Sequence, residues 1–154
     1  MKLKSYLAGE WREGSGEGRA VCDAITGEQV CSVTSDGLNI SEAVNYARTK
    51  GGPYLRSMTF HDRANALKAM AKYLLSRKED FYSLSLKTGA TRSDGWVDIE
   101  GGIGTLFNFG SLVTREFPNS TVMVEGAMER LSRGGSFVGR HILTSKPGVS
   151  VHIN

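Results

Sequence analysis

Residues 59–81 carry an apolar repeat that constrains the fold of this chain more than any other feature. Apolar side chains recur there at spacings of four and three residues: Phe60, Ala64, Leu67, Ala71, Leu74 and Phe81. This spacing places them on one face of an α-helix and leaves the charged residues, from Lys68 to Glu79, on the other. Thr59 and Asp62 have the spacing of an N-cap and its partner, and Gly89 is a stop signal. The sequence predicts one helix here, with a face that packs in a core rather than binding a ligand.

Two further helices are predicted on either side of this one. Asn39 and Glu42 have capping-box spacing, and the pair Gly51-Gly52 followed by Pro53 is expected to end that helix abruptly. The other helix is predicted from about Ser93 or Asp94 to Phe117. Its interior glycines each cost about 1 kcal/mol relative to alanine. These glycines, Gly101, Gly102, Gly104 and Gly110, therefore predict a close approach by another backbone.

The two ends of the chain have the patterns of strands. Residues 3–11 and 20–33 predict two β-hairpins, with turns at Gly9 and at Thr26-Gly27-Glu28. Strands are also predicted from Leu131 onward, in a segment rich in arginine. After the Pro147-Gly148 turn, residues 149–153 alternate between apolar and polar side chains. A strand needs a neighbour, so this segment is expected to be either an edge strand or the first strand of a domain beyond Asn154.

Composition limits the class of protein. The net charge of +3 is small, and the basic residues are interleaved with acidic ones, which argues against a nucleic-acid partner. No apolar run approaches the roughly 18 residues of a membrane helix, and the N-terminus lacks the pattern of a signal peptide. Two cysteines are too few for a disulfide scaffold. We expect a cytoplasmic protein without membrane association.

No motif in the sequence predicts catalysis or metal binding. Gly102-Ile103-Gly104 begins like a dinucleotide fingerprint, but Phe107 stands where the third glycine should be. His61, His141 and His152 are scattered, without the spacing of a zinc site.

Two weaker patterns leave alternatives open. Asp94 and Asp98 are spaced to share a helical face, either as a carboxylate pair or as acids favoured by the helix dipole. Cys22 and Cys31 are interpreted as small buried hydrophobes, with a thiol nucleophile paired to His141 as the alternative.

Three stretches of the chain resemble the N-terminal part of the aldehyde dehydrogenases. They are TGATRSDGWVDIEGGIGTLF (88–107), RSMTFHDRANALKAMAKYLLSRKEDFY (56–82) and LTSKPGVSVHIN (143–154). Within that family the chain is most similar to the bifunctional semialdehyde dehydrogenases of phenylacetate degradation, which are fused to a ring-opening hydratase-type domain. The semialdehyde dehydrogenases of benzoyl-CoA degradation are the next most similar. The resemblance implies an α/β fold of N-terminal β-hairpins, three helices and oligomerisation-type strands, with an incomplete Rossmann-like domain.

The resemblance also implies where the chemistry lies. These enzymes attack the aldehyde with a cysteine thiolate, pass hydride to NAD or NADP, and release the acid with a glutamate-activated water. All of these groups lie downstream of the matching region, so no catalytic residue is expected in this chain. Only Ile153 and Asn154 match positions that border the cofactor site. The oxyanion asparagine belongs to a motif that follows Asn154.

The resemblance implies a division into three segments. Residues 1–38 would form the hairpins, 39–117 the helices that pack on the cofactor domain, and 118–154 the oligomerisation strands and the lead-in to that domain. NAD or NADP and a CoA-linked aldehyde would be ligands of the parent protein, and no cofactor is expected to bind this chain alone. We expect the chain to be inactive, and to associate with itself or with the remainder of the parent through its terminal strands. The alternative is a non-catalytic interaction module that associates with a full-length dehydrogenase.

Overall fold

The computed structural model describes residues 1–153 and alternates short hairpins with helices. The strands are β1 (Lys4–Leu7), β2 (Glu10–Glu13), β3 (Arg19–Cys22), β4 (Gln29–Val33), β5 (Val122–Arg130) and β6 (Val138–Thr144). The helices are α1 (Ile40–Tyr46), α2 (Gly52–Ser57), α3 (Phe60–Ser76), α4 (Lys78–Leu86), α5 (Arg92–Trp96) and α6 (Gly102–Glu116). A first π turn (Ala47–Gly51) joins α1 to α2, and a second π turn (Val97–Gly101) joins α5 to α6. Mixed helix and strand content confirms the predicted α/β class.

The strands pair as three antiparallel hairpins, β1–β2, β3–β4 and β5–β6, within the described part of the chain. A single parallel bridge joins Lys2, just before β1, to Ser32 of β4. The first hairpin turns at Gly9, whose φ of 92° is a conformation that glycine adopts without strain. Tyr6 and Trp11 face each other across it, with ring centroids 5.2 Å apart. Both predicted N-terminal hairpins are confirmed. Cys31 on β4 is buried as predicted, but Cys22 on β3 is exposed, so the prediction is wrong for Cys22.

The predicted end of the first helix at Gly51-Gly52-Pro53 is wrong. The Asn39 side chain caps α1 as expected, accepting the Glu42 N–H at 3.0 Å. The helix then continues through the first π turn, in which the Gly52 N–H donates to the Ala47 carbonyl five residues earlier. This wider turn places Pro53 in the first turn of α2, where a missing N–H is tolerated.

The single helix predicted from Thr59 to Gly89 is divided at Arg77. Thr59 and Asp62 form the predicted capping box at the start of α3. Arg77 has non-helical dihedrals (φ −109°, ψ 12°), and its N–H closes a tight turn to the Leu74 carbonyl at 3.0 Å. Its Nε binds Asp80 Oδ2 at 2.6 Å, so Arg77 ends α3 and supports the first turn of α4.

The third predicted helix is present as α5, the second π turn and α6, and it begins after the capping residue Thr91. Close approach explains only one of the four interior glycines. A Cβ at Gly110 would lie 2.9 Å from the Ala64 carbonyl and 2.8 Å from Lys68 Cγ of α3. A Cβ at Gly101, Gly102 or Gly104 would have no neighbour within 4 Å. The prediction is confirmed at Gly110 and wrong at the other three positions.

The C-terminal hairpin differs from the prediction in two ways. Its first strand, β5, begins at Val122, before the predicted strand region, and bulges between Glu125 and Glu129 at a left-handed Gly126. Residues 149–153 form no strand, because no other strand of the described residues lies beside them. The predicted three-segment division stays a prediction.

The hydrophobic core within residues 1–153 is small. The buried apolar residues are Cys31, Ala64, Ala71, Tyr82 and Ile103. Four of the five lie on α3, α4 and α6, so the core sits where these helices meet. Many large apolar side chains on α3, α4, α6 and the last hairpin stay exposed, as predicted for helices that need a further partner. None of the helices within the described range is long and apolar enough to span a bilayer.

Candidate functional site

An open apolar groove of about 520 Å³ separates the end of α3 and α4 from the second π turn and the start of α6. Its residues are Leu74, Phe81, Leu84, Ser85, Thr88, Asp98, Ile99, Gly102, Ile103 and Leu106. One side comes from α3 and α4, on either side of the Arg77 break, and the other from the second π turn and α6. The groove is therefore an apolar concavity that the three central helices build together.

Close packing of α3 on α6 holds the base of the groove. Ala64 and Ala71 are buried on the α3 face, and their small side chains let α6 approach. Gly110 meets the Ala64 carbonyl with no side chain between them. One turn further along, Lys68 Nζ donates to Thr114 Oγ1 at 2.8 Å. The backbone contact between Gly110 and Ala64 and the hydrogen bond from Lys68 to Thr114 thus hold α3 and α6 together.

A polar cluster lies beside the groove, between α4 and the second π turn. Glu100 Oε1 accepts two hydrogen bonds, from the Tyr82 hydroxyl at 2.9 Å and from Lys78 Nζ at 3.1 Å. The Arg92 guanidinium lies 4.4 Å from the Tyr82 ring centroid and also binds both Glu79 carboxylate oxygens at 3.2 Å. The cluster joins α4, α5 and the π turn through one buried aromatic ring.

The hydrogen bonds in this cluster favour an ionised Glu100 and a neutral Tyr82. The Tyr82 hydroxyl bond, followed by the Lys78 contact, lowers the pKa of Glu100 below its ordinary value. Burial, and then the hydrogen bond to Glu100, raises the pKa of Tyr82. Each shift keeps the donor protonated and the acceptor charged. This arrangement suits a structural contact, because neither group is poised to exchange a proton near neutral pH.

The two carboxylates considered as a catalytic pair have separate partners. Asp94 Oδ2 accepts from the Thr91 backbone N–H at 3.2 Å and from the Thr91 hydroxyl at 2.6 Å. These bonds, the hydroxyl first, lower the pKa of Asp94. Asp98 lies on the groove wall instead. The geometry favours the capping interpretation of Asp94 over paired-carboxylate catalysis.

The cysteine–histidine pair kept as the alternative is not formed among residues 1–153. His141 Nδ1 lies 3.2 Å from Glu125 Oε2 across the last hairpin, whereas both cysteines lie on the second hairpin. His61 Nε2 lies 2.7 Å from the Phe117 carbonyl oxygen. Since a carbonyl only accepts, Nε2 carries the proton there. No group of three or more potential metal ligands occurs in this part of the chain.

The two positions predicted to border the cofactor, Ile153 and Asn154, are not part of a binding site within the described residues. Ile153 is 91% exposed, and Asn154 lies outside the described residues. A dinucleotide cradle of the Rossmann type needs parallel strands joined by a helix that begins at a glycine-rich loop. The described strands form antiparallel hairpins only. Residues 1–153 therefore do not fit NAD or NADP by themselves, and no reaction step can be derived through them.

Sequence reasoning missed the cluster around Tyr82. Lys78 and Tyr82 are four residues apart and so share a face of α4, which was a usable signal. Their partner, Glu100, could not be found in the same way. Its position depends on the second π turn, which the apolar spacing does not reveal.

Comparisons with known proteins identify the family. Residues 11–133 match the aldehyde dehydrogenase family. The whole chain aligns with 3,4-dehydroadipyl-CoA semialdehyde dehydrogenase of Aromatoleum evansii, with 36% identity over 155 aligned positions. The alignment spans 30% of that relative's length. The chain belongs to the aldehyde dehydrogenase family.

Proposed function

We propose that this chain is the N-terminal segment of a cytoplasmic NAD(P)-dependent dehydrogenase that oxidises a CoA-linked semialdehyde to the acid in the degradation of aromatic compounds. The observation that carries the proposal is the 36% identity, along the whole chain, to an enzyme named for a CoA semialdehyde. Oxidation consumes the aldehyde, water and NAD(P)⁺, and gives the carboxylic acid, NAD(P)H and a proton. A fused ring-opening hydratase-type domain is part of the same proposal.

Within such an enzyme this segment acts as a scaffold rather than as a source of catalytic groups. Its polar cluster is composed of paired side chains, and its cysteines lie on a different hairpin from His141. Ile153 and Asn154 would border the cofactor, which the rest of the parent would bind. The groove, with Leu74 on one side and Ile103 on the other, supplies apolar surface for packing.

The amount of exposed surface supports a role that requires further protein. The chain has an accessible surface of 11536 Å². A compact monomer of 16.7 kDa would expose about 7,600 Å² by the usual scaling of surface with mass. The excess includes the groove and both faces of the last hairpin. A partner that covers these surfaces would remove their apolar side chains from water.

A chimera tests the proposed function. This chain would replace the aligned 30% of the Aromatoleum evansii enzyme, and NAD(P)H formation would be followed with a CoA-linked semialdehyde. We expect a folded chimera with kcat/KM within about tenfold of the parent's, because a scaffold leaves the transition state unchanged. The double variant Cys22→Ser, Cys31→Ser should have the same activity. A chimera that is folded by circular dichroism and gel filtration but inactive would refute the proposal.

The second candidate function is an interaction module that binds a full-length dehydrogenase. The observation that favours it is the β5–β6 hairpin, whose outer edges pair with no third strand among the described residues. Unpaired edges of this kind are templates for strand addition by another chain. Mixing the chain with a full-length relative distinguishes the two candidates. A stoichiometric complex on gel filtration supports the module, and two separate peaks support the scaffold segment.

A further inference from the structure

The second π turn changes which residues of its helix share a side. In an α-helix each residue turns by about 100°, so residues five apart lie about 140° apart around the axis. A π turn closes hydrogen bonds between residues five apart and brings such residues to nearly the same side. Val97–Gly101 is a π turn, and directly after it the Gly102 N–H donates to the Asp98 and Ile99 carbonyls, four and three residues earlier. Gly95 lies two residues before the turn and Glu100 is the fourth residue of the turn, so both face the same neighbour.

That neighbour is Tyr82 of α4. A Cβ at Gly95 would lie 3.3 Å from Tyr82 Cδ1, so the α5 backbone packs directly on the ring. At the other end of the ring, the hydroxyl donates to Glu100 Oε1 at 2.9 Å. An α-helical path between positions 95 and 100 would direct one of them away from Tyr82. The ring contacts both because the helix is widened between them.

Tyr82 is held firmly enough to act as a reference point. It is 5% exposed, with the Arg92 guanidinium stacked on its ring. Lys78, one turn earlier on α4, binds the same Glu100 oxygen. Beyond the π turn, α6 makes a separate set of contacts with α3 through Gly110 and Thr114.

We infer that Tyr82 is a positioning residue that holds the helical register of the second π turn. The turn acts as a one-residue insertion. It allows one continuous helix to present Gly95 and Glu100 to α4 while it presents Gly110 to α3. The register in turn places Ile99, Gly102 and Ile103 on the groove wall. This inference rests on the contacts of the chain and is independent of the proposed function.

A pair of deletions tests the insertion. Deleting Val97, whose side chain is 61% exposed, leaves Glu100 four residues after Gly95, and an ordinary α-helix then keeps both on Tyr82. We expect this variant to melt within a few degrees of the wild type. Deleting the exposed Asn108, within α6, rotates Gly110 away from Ala64 by about 100°. This control should lose its cooperative transition or melt far lower. Equal destabilisation by the two deletions would overturn the inference.

Replacing Tyr82 with phenylalanine distinguishes the positioning role of its hydroxyl from the packing role of its ring. Tyr82→Phe keeps the ring and removes the bond to Glu100. Trp96, next to the π turn and 58% exposed, reports the register by its fluorescence in a Trp11→Phe background. We expect Tyr82→Phe to shift the Trp96 emission in the full-length helix and to leave it unshifted in the Val97 deletion, which has no π turn to relax. The same shift in both backgrounds, or none in either, would contradict the assigned role.

Discussion

At the scale of single residues, two glycines of α6 differ in whether a side chain would fit at their positions. Gly110 occupies a position where a side chain would collide with the backbone of α3. Gly104 lies on the same helix, and a side chain there would meet open space. The two positions are therefore a matched pair for one substitution with opposite expected effects.

We expect Gly110→Ala to lower the free energy of unfolding by about 1–3 kcal/mol, since an extra methyl group must displace Lys68 or the Ala64 carbonyl. Gly104→Ala should instead raise it by about 1 kcal/mol, because alanine has the higher helix propensity. Urea unfolding followed by circular dichroism measures both. The packing account would be wrong if the two substitutions changed stability in the same direction by similar amounts.

The cysteines and the polar cluster both show that the surroundings of a side chain depend on tertiary packing. Cys31 is buried and Cys22 is exposed, although both lie on strands of the same hairpin. Burial depends on which face another element covers, and a strand pattern alone does not contain that information. In the same way, Glu100 looks like any acid of a helical segment until its contact with Tyr82 is known.

At the scale of elements, local rules predict where helices begin better than how they continue. Thr59 and Asp62 form both hydrogen bonds of the capping box that starts α3. Each bond satisfies a backbone N–H that the first helical turn leaves free.

Thr59→Ala should therefore lower stability by about 1 kcal/mol. Thr59→Ser should stay close to the wild type, because its hydroxyl can accept the same Asp62 N–H, now 3.1 Å away. Thermal unfolding of the two variants at neutral pH checks this expectation. A serine variant as unstable as the alanine variant would show that the methyl group, and not the cap, matters.

The Asp62 carboxylate gives the same cap a dependence on pH. Hydrogen bonds from the Thr59 backbone N–H first, and from its hydroxyl second, lower the pKa of Asp62 from its ordinary 3.8. A lowered pKa means that the stabilisation is fully present above 3.8 and is lost as the pH falls through the lower folded value. We expect the difference in melting temperature between wild type and Asp62→Asn to shrink from pH 5 toward pH 2. A difference that grows in acid would have the wrong sign.

Capping and turn chemistry made the two N-terminal hairpins and the starts of α1, α3 and α5 predictable to within a few residues. The first π turn was not predictable, because Gly51-Gly52-Pro53 has the composition of a helix end. The second was not predictable because the apolar spacing does not reveal it. The break at Arg77 was missed because an arginine in a helical repeat looks like any solvated residue. The prediction of a strand at residues 149–153 was wrong. Alternating apolar and polar residues indicate which face of a strand is buried, but they do not show that another strand lies beside it. The predicted site positions Ile153 and Asn154 rest on resemblance alone.

At the scale of the whole molecule, we expect the exposed apolar surface to control how the chain behaves in solution. The last hairpin exposes Phe137 and Ile142, which are 63% and 62% accessible. A two-stranded hairpin without further packing is marginally stable in water. These surfaces favour association of the isolated chain with itself.

We expect the average mass from light scattering to rise above 16.7 kDa with increasing protein concentration. The double variant Phe137→Ser, Ile142→Thr should reduce this rise. Substituting the exposed Tyr54 of α2 by serine, outside both the groove and the hairpin, serves as the control. A monomeric mass at every concentration would contradict the expectation.

We propose that this aldehyde dehydrogenase segment belongs to an oxidising enzyme but supplies none of the reacting groups. The most direct test is the absorbance at 340 nm of the purified chain mixed with a CoA-linked semialdehyde and either NAD⁺ or NADP⁺. We expect no formation of NADH or NADPH above the rate without protein. Turnover by the chain alone that is abolished by Cys22→Ser or Cys31→Ser would contradict it.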